Sequence, residues 1–274
     1  MSCMLKASGG LYSRMTVGAV LLAAGEGKRL GGRPKALLEL GGVPLILRQL
    51  IALSGAGVDE VVVVLGHHAA AVEAAVRAFP ITLAHNPRPQ DGQASSVRVG
   101  LQALSPRVDA VIVALADQPL IDAQDIIALI SAYKQRGAAA MVVPRVNVAG
   151  AQGLPAVPAV PAMPGNPVMF DAALREQWLS GEADLACRKW RAQHPERVHW
   201  FDTNNRRYQV DIDTAEDLER FAASTGHRLH WPASLAGQLP NLPAGLAGHQ
   251  PNEPAAKAGH PPNSPAGLAQ EAAG

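Results

Sequence analysis

Residues 21–35 read LLAAGEGKRLGGRPK, an apolar run that breaks into a segment with four glycines (Gly25, Gly27, Gly31, Gly32) and four cations (Lys28, Arg29, Arg33, Lys35). The apolar part belongs to VGAVLLA (17–23), whose length and β-branched content predict a buried strand. A glycine-rich break after a buried first strand lies at the carboxyl edge of a parallel sheet, where open α/β folds bind ligands. The chain further on decides whether such an edge exists.

Apolar runs and helix-period segments alternate through the next 120 residues. Strands are predicted at 17–23, 58–66, 81–86, 109–117 and 138–145, with helices at 44–57, 68–79, 94–104 and 122–137 between them. Continuously apolar strands separated by helices predict an α/β fold: a three-layer, Rossmann-like, mostly parallel sheet covered on both faces. The pattern breaks at 151–164, AQGLPAVPAVPAMP, where the proline repeat reads as an extended polyproline excursion. Order returns at 165–181, with a helix expected at 183–194, strands at 197–203 and 207–213, and a helix at 214–224 that Thr214 caps. Beyond that helix, and most plainly from Pro232, proline, alanine and glycine dominate. Residues 225–274 are therefore expected to be a disordered tail, 16–224 the catalytic domain, and 1–15 an unstructured leader. His249 and His260 recur in the tail and read as incidental.

Composition narrows the function classes. The 24 basic and 23 acidic residues leave a formal net charge of +1, so no global field holds nucleic acid, and 4% aromatic content offers little base-stacking surface. Two cysteines, Cys3 and Cys187, make neither a disulfide framework nor a metal knuckle. No apolar run approaches the roughly 20 residues that span a bilayer. The expected location is the cytoplasm, with neither nucleic acid nor a membrane as partner.

Three chemistries compete for the opening loop. A dinucleotide fingerprint needs a third glycine at position 30, but it falls at Gly31, and the second strand exits as VVVVLGHH without the acid that would hold a ribose. A P-loop fails because no Gly-Lys-Ser/Thr occurs. A triphosphate suits the segment best: Leu22, Ala23 and Ala24 lead into amides freed by Gly25 and Gly27, and Lys28, Arg29 and Lys35 supply cationic donors. Two further strand ends add to it. LADQP (115–119) sets Asp117 at the same edge, where its oxygen suits a hard divalent cation or a simple turn. The segment after the third strand carries Gly92, Ser95 and Ser96 at a helix start, where one serine serves as an ordinary cap and a pair can read a base edge. In DID (211–213), Asp211 and Asp213 share one side of the chain, and either can join Asp117 on the cation. His67 and His68 read as structural.

As a set and in this order, LLAAGEGKRLGGRPK, GQASSVRVGL, LADQP, GNPVMF and DIDTAEDL resemble the molybdenum cofactor cytidylyltransferases over about residues 16–224. LAAG, in place of the LAGG of the guanylyltransferase branch, points toward cytidine. The resemblance implies that the loop and Lys35 bind the triphosphate of CTP, and that Gly92, Ser95 and Ser96 face the base. It further implies that Asp117 and Asp213 hold magnesium, while Gly165, Asn166 and Pro167 help form the acceptor pocket. The implied reaction moves CMP to the terminal phosphate of a molybdopterin-type acceptor and releases pyrophosphate, with a molybdoenzyme or its maturation chaperone as a possible downstream partner. The proline repeat departs from the family pattern and bears on the acceptor. Rival readings are a GTP- or sugar-phosphate-using transferase, a non-catalytic cofactor chaperone, and a dinucleotide oxidoreductase.

Overall fold

The strand that ends at the glycine loop is buried on both faces. In β1 (Val17–Ala23), Val17, Ala19, Leu21 and Ala23 pack into one hydrophobic cluster and Val20 into another on the opposite side. Such a strand needs helices above and below. The computed structural model, which describes residues 14–147, 163–181 and 187–236, supplies them.

After β1 come the short strands β2 (Glu39–Leu40) and β3 (Val43–Pro44), then α1 (Leu45–Gly55), β4 (Glu60–Leu65), α2 (Ala69–Val76), β5 (Thr82–His85) and α3 (Gln93–Ala103). The chain continues through β6 (Ala110–Leu115), α4 (Ala123–Lys134), β7 (Met141–Val146), β8 (Met163–Pro164), β9 (Val168–Asp171) and α5 (Ala172–Ser180). It closes with α6 (Cys187–Gln193), β10 (Val198–Thr203), α7 (Ala215–Thr225), β11 (Leu229–His230) and α8 (Ala233–Ala236).

The main sheet runs β10-β7-β9-β6-β1-β4-β5, with β8 paired to β7. Pairing is parallel except where β9 lies antiparallel between β6 and β7, and where β8 meets β7. Residues of α1, α2 and α4 fill the cluster on one face, and residues of α3, α5 and α6 fill the other. The three-layer, mostly parallel fold expected from the alternation is therefore present. From β1 the chain builds outward to β4 and β5, then returns to place β6 on the other flank of β1. That reversal opens a crevice at the carboxyl ends of the strands. The register keeps those ends level, pairing Leu22 with Leu115 and Ala23 with Leu65.

Several boundaries differ from the sequence reading for physical reasons. The strand expected at 207–213 is absent. A 3-10 turn spans Arg206–Gln209, because Tyr208 turns into the core and donates its hydroxyl to the Asp125 carbonyl at 2.8 Å. Val210 and Ile212 still alternate toward a small cluster, so Asp211 and Asp213 keep a shared side without a paired strand. Arg14 and Met15, placed in the leader by the sequence, belong to the fold: Arg14 pairs with Asp59 at 3.0 Å and Met15 packs on the core. Likewise β11 and α8 fall in the segment expected to be tail, yet β11 pairs antiparallel with β2. Thr214 caps α7 as expected, in a capping box with Asp217. The leader before Arg14, residues 151–162 of the proline repeat, residues 183–186 of the expected helix and the tail from 237 lie outside the described residues.

Candidate active site

The loop after β1 is held in one shape by its own backbone. The Gly27 carbonyl accepts from the Leu30 amide at 2.8 Å and the Gly32 amide at 3.0 Å, closing a short turn over Lys28–Leu30. Gly27 sits at φ 70°, and a Cβ there would strike the Arg33 carbonyl oxygen, so only glycine fits. Leu30 anchors the turn in a cluster with Leu38, Leu45, Ile212 and Phe221. Below the turn, Lys35 begins a second short turn whose next residues, Ala36 and Leu37, are buried. The lysine stem is thereby fixed at both sides. Two histidines that the sequence reading left as structural brace the same loop: His67 Nδ1 lies 3.1 Å from the Ala24 carbonyl and His68 Nε2 2.9 Å from that of Glu26.

Across the crevice, β6 delivers Asp117. The Ile212 amide donates to the Asp117 carbonyl at 3.1 Å, which lays the DID segment against the end of β6. Lys35 Nζ then meets both acids, 2.6 Å from Asp117 Oδ2 and 2.5 Å from Asp213 Oδ1, while Arg29 Nη2 reaches Asp213 Oδ2 at 3.3 Å. The Lys35 side chain is only 17% exposed. Burial alone would lower its pKa, but the two carboxylates outweigh that and raise it, so Lys35 stays an ammonium. Burial pushes the Asp117 carboxyl up against the opposing pull of Lys35. Asp211 is also raised, by burial first and then by the negative charges of Asp117, Asp213 and Asp217. The Asp117 Oδ1 atom is buried without a hydrogen-bond partner. These groups line a cleft of about 700 Å³ between the glycine loop, the start of α3 and Asn166.

Residues 19–250 match the family of MobA-like NTP transferase domains. The chain belongs to the MobA-like NTP transferase family. It is 33% identical over 205 residues to the nicotine blue oxidoreductase of Paenarthrobacter nicotinovorans, covering 74% of this chain and 95% of that protein. A solved nucleotidyl transferase from Methanothermobacter thermautotroptrophicus is similar at a TM-score of 0.58 and 25% identity, over 76% of this chain and 97% of that one. The 4-diphosphocytidyl-2C-methyl-D-erythritolsynthase of Anaerococcus prevotii reaches a TM-score of 0.59 at 17% identity, over 77% of this chain and 96% of that one, a likeness of fold alone.

In this MobA-like chain the residues singled out from sequence divide into those at the cleft and those behind it. Leu22, Ala23, Ala24, Gly25, Arg29, Lys35, Gly92, Ser96, Asp117, Asn166, Asp211 and Asp213 line it. Lys28 does not; it is exposed and pairs with Glu26 at 3.1 Å. Gly27 shapes the loop from behind. Ser95 is turned away, donating to the Gly92 carbonyl at 2.8 Å and accepting from Asn86 Nδ2 at 2.8 Å, so it braces the loop that Ser96 faces. Gly165 and Pro167 are buried behind Asn166. A Cβ on Gly165 would come within 2.6 Å of the Tyr208 carbonyl oxygen. The sequence reading missed Gln93, Pro89 and Arg188 at the cleft wall, and Gln118 beneath it. Gln118, 1% exposed, donates its side-chain amide to the carbonyls of Asn166 at 3.2 Å and Tyr208 at 3.3 Å, while its main-chain carbonyl accepts from Gln49 Nε2. It ties the end of β6 to the loop at Asn166 and to the Arg206–Gln209 turn that precedes the DID segment. Its one available signal was its place beside Asp117 in LADQP.

The residue set suits a magnesium ion. Two carboxylates with a free buried oxygen supply hard donors, and magnesium is commonly held by one or two carboxylates, the rest of its shell coming from phosphates and water. Among the described residues no group of three or more His, Cys, Asp or Glu is arranged to hold a metal by protein ligands alone.

Proposed function

We propose that this chain is a magnesium-dependent cytidylyltransferase that moves CMP from CTP to the terminal phosphate of molybdenum-bound molybdopterin. One observation carries the reading: a buried ammonium and a guanidinium stand beside two aspartates, under a glycine loop, at the switch point of a nucleotidyltransferase-type sheet. In this reading an oxygen of the acceptor phosphate attacks the α-phosphorus of CTP, the bond to the bridging oxygen of the β-phosphate breaks, and pyrophosphate leaves. The chain's work is positioning and charge neutralisation. The amides from Ala23 to Gly27 cradle the phosphates, and Lys35 and Arg29 exchange their carboxylate partners for phosphate oxygens as the nucleotide enters. Lys28, outside the cleft wall, contributes only through the local field. Asp117 and Asp213 are the residues that would hold magnesium, which offsets charge on the phosphate oxygens. Ser96 and Gln93 face the base, and Asn166 the acceptor. The CTP preference rests on LAAG, and the acceptor on the GNPVMF resemblance; a molybdoenzyme or its chaperone would receive the product in the cytoplasm.

A second reading has an observation of its own. The relative matched over nearly its whole length is named an oxidoreductase. The VVVVLGHH exit argues against it here, because its histidines are engaged with loop carbonyls and no acid stands ready for a ribose. Incubating the purified chain with each NTP, magnesium and molybdenum-loaded molybdopterin separates the two. Pyrophosphate released fastest from CTP supports the proposal. No pyrophosphate from any NTP, together with acceptor-dependent oxidation of a nicotinamide cofactor, replaces it with the second reading.

A further inference from the structure

Four cations crowd the loop from Lys28 to Lys35, yet only Arg29 and Lys35 reach the cleft. Lys28 is drawn off by Glu26. Arg33 is drawn off by an aromatic ring from the far end of the fold: its guanidinium carbon lies 4.9 Å from the centre of the Trp231 ring. No ion pair among the described residues includes Arg33, and burial holds its guanidinium below the usual arginine value. Tryptophan is the strongest aromatic platform for such a cation, and arginine stacks on it face to face.

The structure assigns Trp231 as a positioning residue of the glycine loop: by holding Arg33 it fixes the turn that aims Arg29 and Lys35 into the cleft. Three contacts make the link mechanical. The Arg33 backbone abuts Gly27, so a shift of Arg33 is felt at the carbonyl that closes the Lys28–Leu30 turn. Trp231 packs on the cluster that buries Leu30 and Leu38, the residues on either side of Lys35 that pin the loop to the core. Immediately before Trp231, Leu229 and His230 pair with Leu40 and Glu39, clamping the chain just after Lys35. Loop entry, apex and exit thus lean on one three-residue stretch. None of it was visible as such in the sequence, which assigns 229–231 to the tail. The substrate side of this inference rests on the nucleotide reading of the cleft; the loop side rests on geometry alone.

The test uses the full-length chain with Trp231→Ala, Trp231→Phe and Arg33→Met. Hydrogen exchange is followed at the Leu30, Gly32 and Leu38 amides, with β6 amides as the control for global folding. Binding of CTP or GTP with magnesium is measured by titration calorimetry. Trp231→Ala and Arg33→Met are expected to speed loop exchange and weaken nucleotide binding, each about tenfold, while Trp231→Phe stays within about twofold of the parent. Arg33→Met leaves the C-terminal segment intact and decides the matter should Trp231→Ala lose β6 protection. Unchanged loop exchange in Arg33→Met overturns the assignment. Faster loop exchange with no nucleotide bound by the parent chain sustains the assignment and removes the nucleotide reading instead.

Discussion

Lys35 carries a positive charge into a space that two aspartates would otherwise share. Removing it leaves the buried Asp117 carboxylate beside the part-exposed Asp213 without its counter-charge, and breaking a buried pair such as Lys35–Asp117 costs about 3–5 kcal/mol. Lys35→Met is therefore expected to lower unfolding free energy by about 3 kcal/mol at pH 7 in urea titrations. The pH dependence has a definite sign. Asp117 is already raised by burial, and Lys35 is the group opposing that rise, so its loss raises the carboxyl further. A carboxyl whose folded pKa exceeds its unfolded value binds extra protons in the native state, so stability grows as pH falls between the two. The Lys35→Met deficit should shrink on acidification from pH 7 toward the ordinary aspartate range; a deficit constant with pH would contradict this coupling. Asp117→Asn keeps the shape and loses the charge, and we expect kcat/KM to drop at least ~100-fold with little change in melting temperature. Asp213→Asn should follow closely, since both Lys35 and Arg29 bind it, and Asp211→Asn should be milder, since it lines the cleft without an ion pair to either. The reverse order would shift the charge-bearing role to Asp211.

Elements explain which parts of this arrangement could be read from the sequence. Long buried strands announce themselves: β1, β4, β6 and β7 lie within or beside runs too apolar to be anything else. Capped helices do as well, since Asp122 and Thr214 each open a capping box three residues before an acid. Two-residue strands such as β2, β3 and β11 have no periodicity to detect, so the small sheet beside the loop went unread. The 207–213 segment misled because its alternation is real while its hydrogen-bonding partners are not strands. Within the site, the charged residues of the glycine loop, LADQP and DID were legible, whereas Arg188 reaches the cleft from α6, and Gln118 acts by hydrogen bonds to carbonyls and looks like any polar residue. Two substitutions test the element-level account in denaturant titrations. Thr214→Ala removes the cap of α7 and should cost about 1 kcal/mol. Gly27→Ala forces a Cβ into the left-handed region and onto Arg33, and should cost about 2 kcal/mol while also weakening nucleotide binding.

The whole molecule assembles its cleft from both ends of the described chain. β11 pairs with β2, Trp231 packs on the cluster of Leu30, Leu38 and Leu45, and Leu235 packs on the main core, so residues 229–235 belong to the folded unit. A chain ending at Gly226 should melt at least ~5 °C below one ending at Ala236, the difference isolating the ten residues between them. Equal melting temperatures would return that segment to the tail. The bridge from Lys35 to Asp213 spans 178 residues of sequence. At roughly 5–20 residues per second, a ribosome takes about 10–35 s to travel from one to the other. During that interval the nascent chain displays a cationic loop whose second carboxylate does not yet exist. The growing polypeptide is therefore exposed to stray polyanions early and acquires its counter-charge late, so stalling between β6 and α7 leaves a product whose binding preferences differ from those of the finished protein.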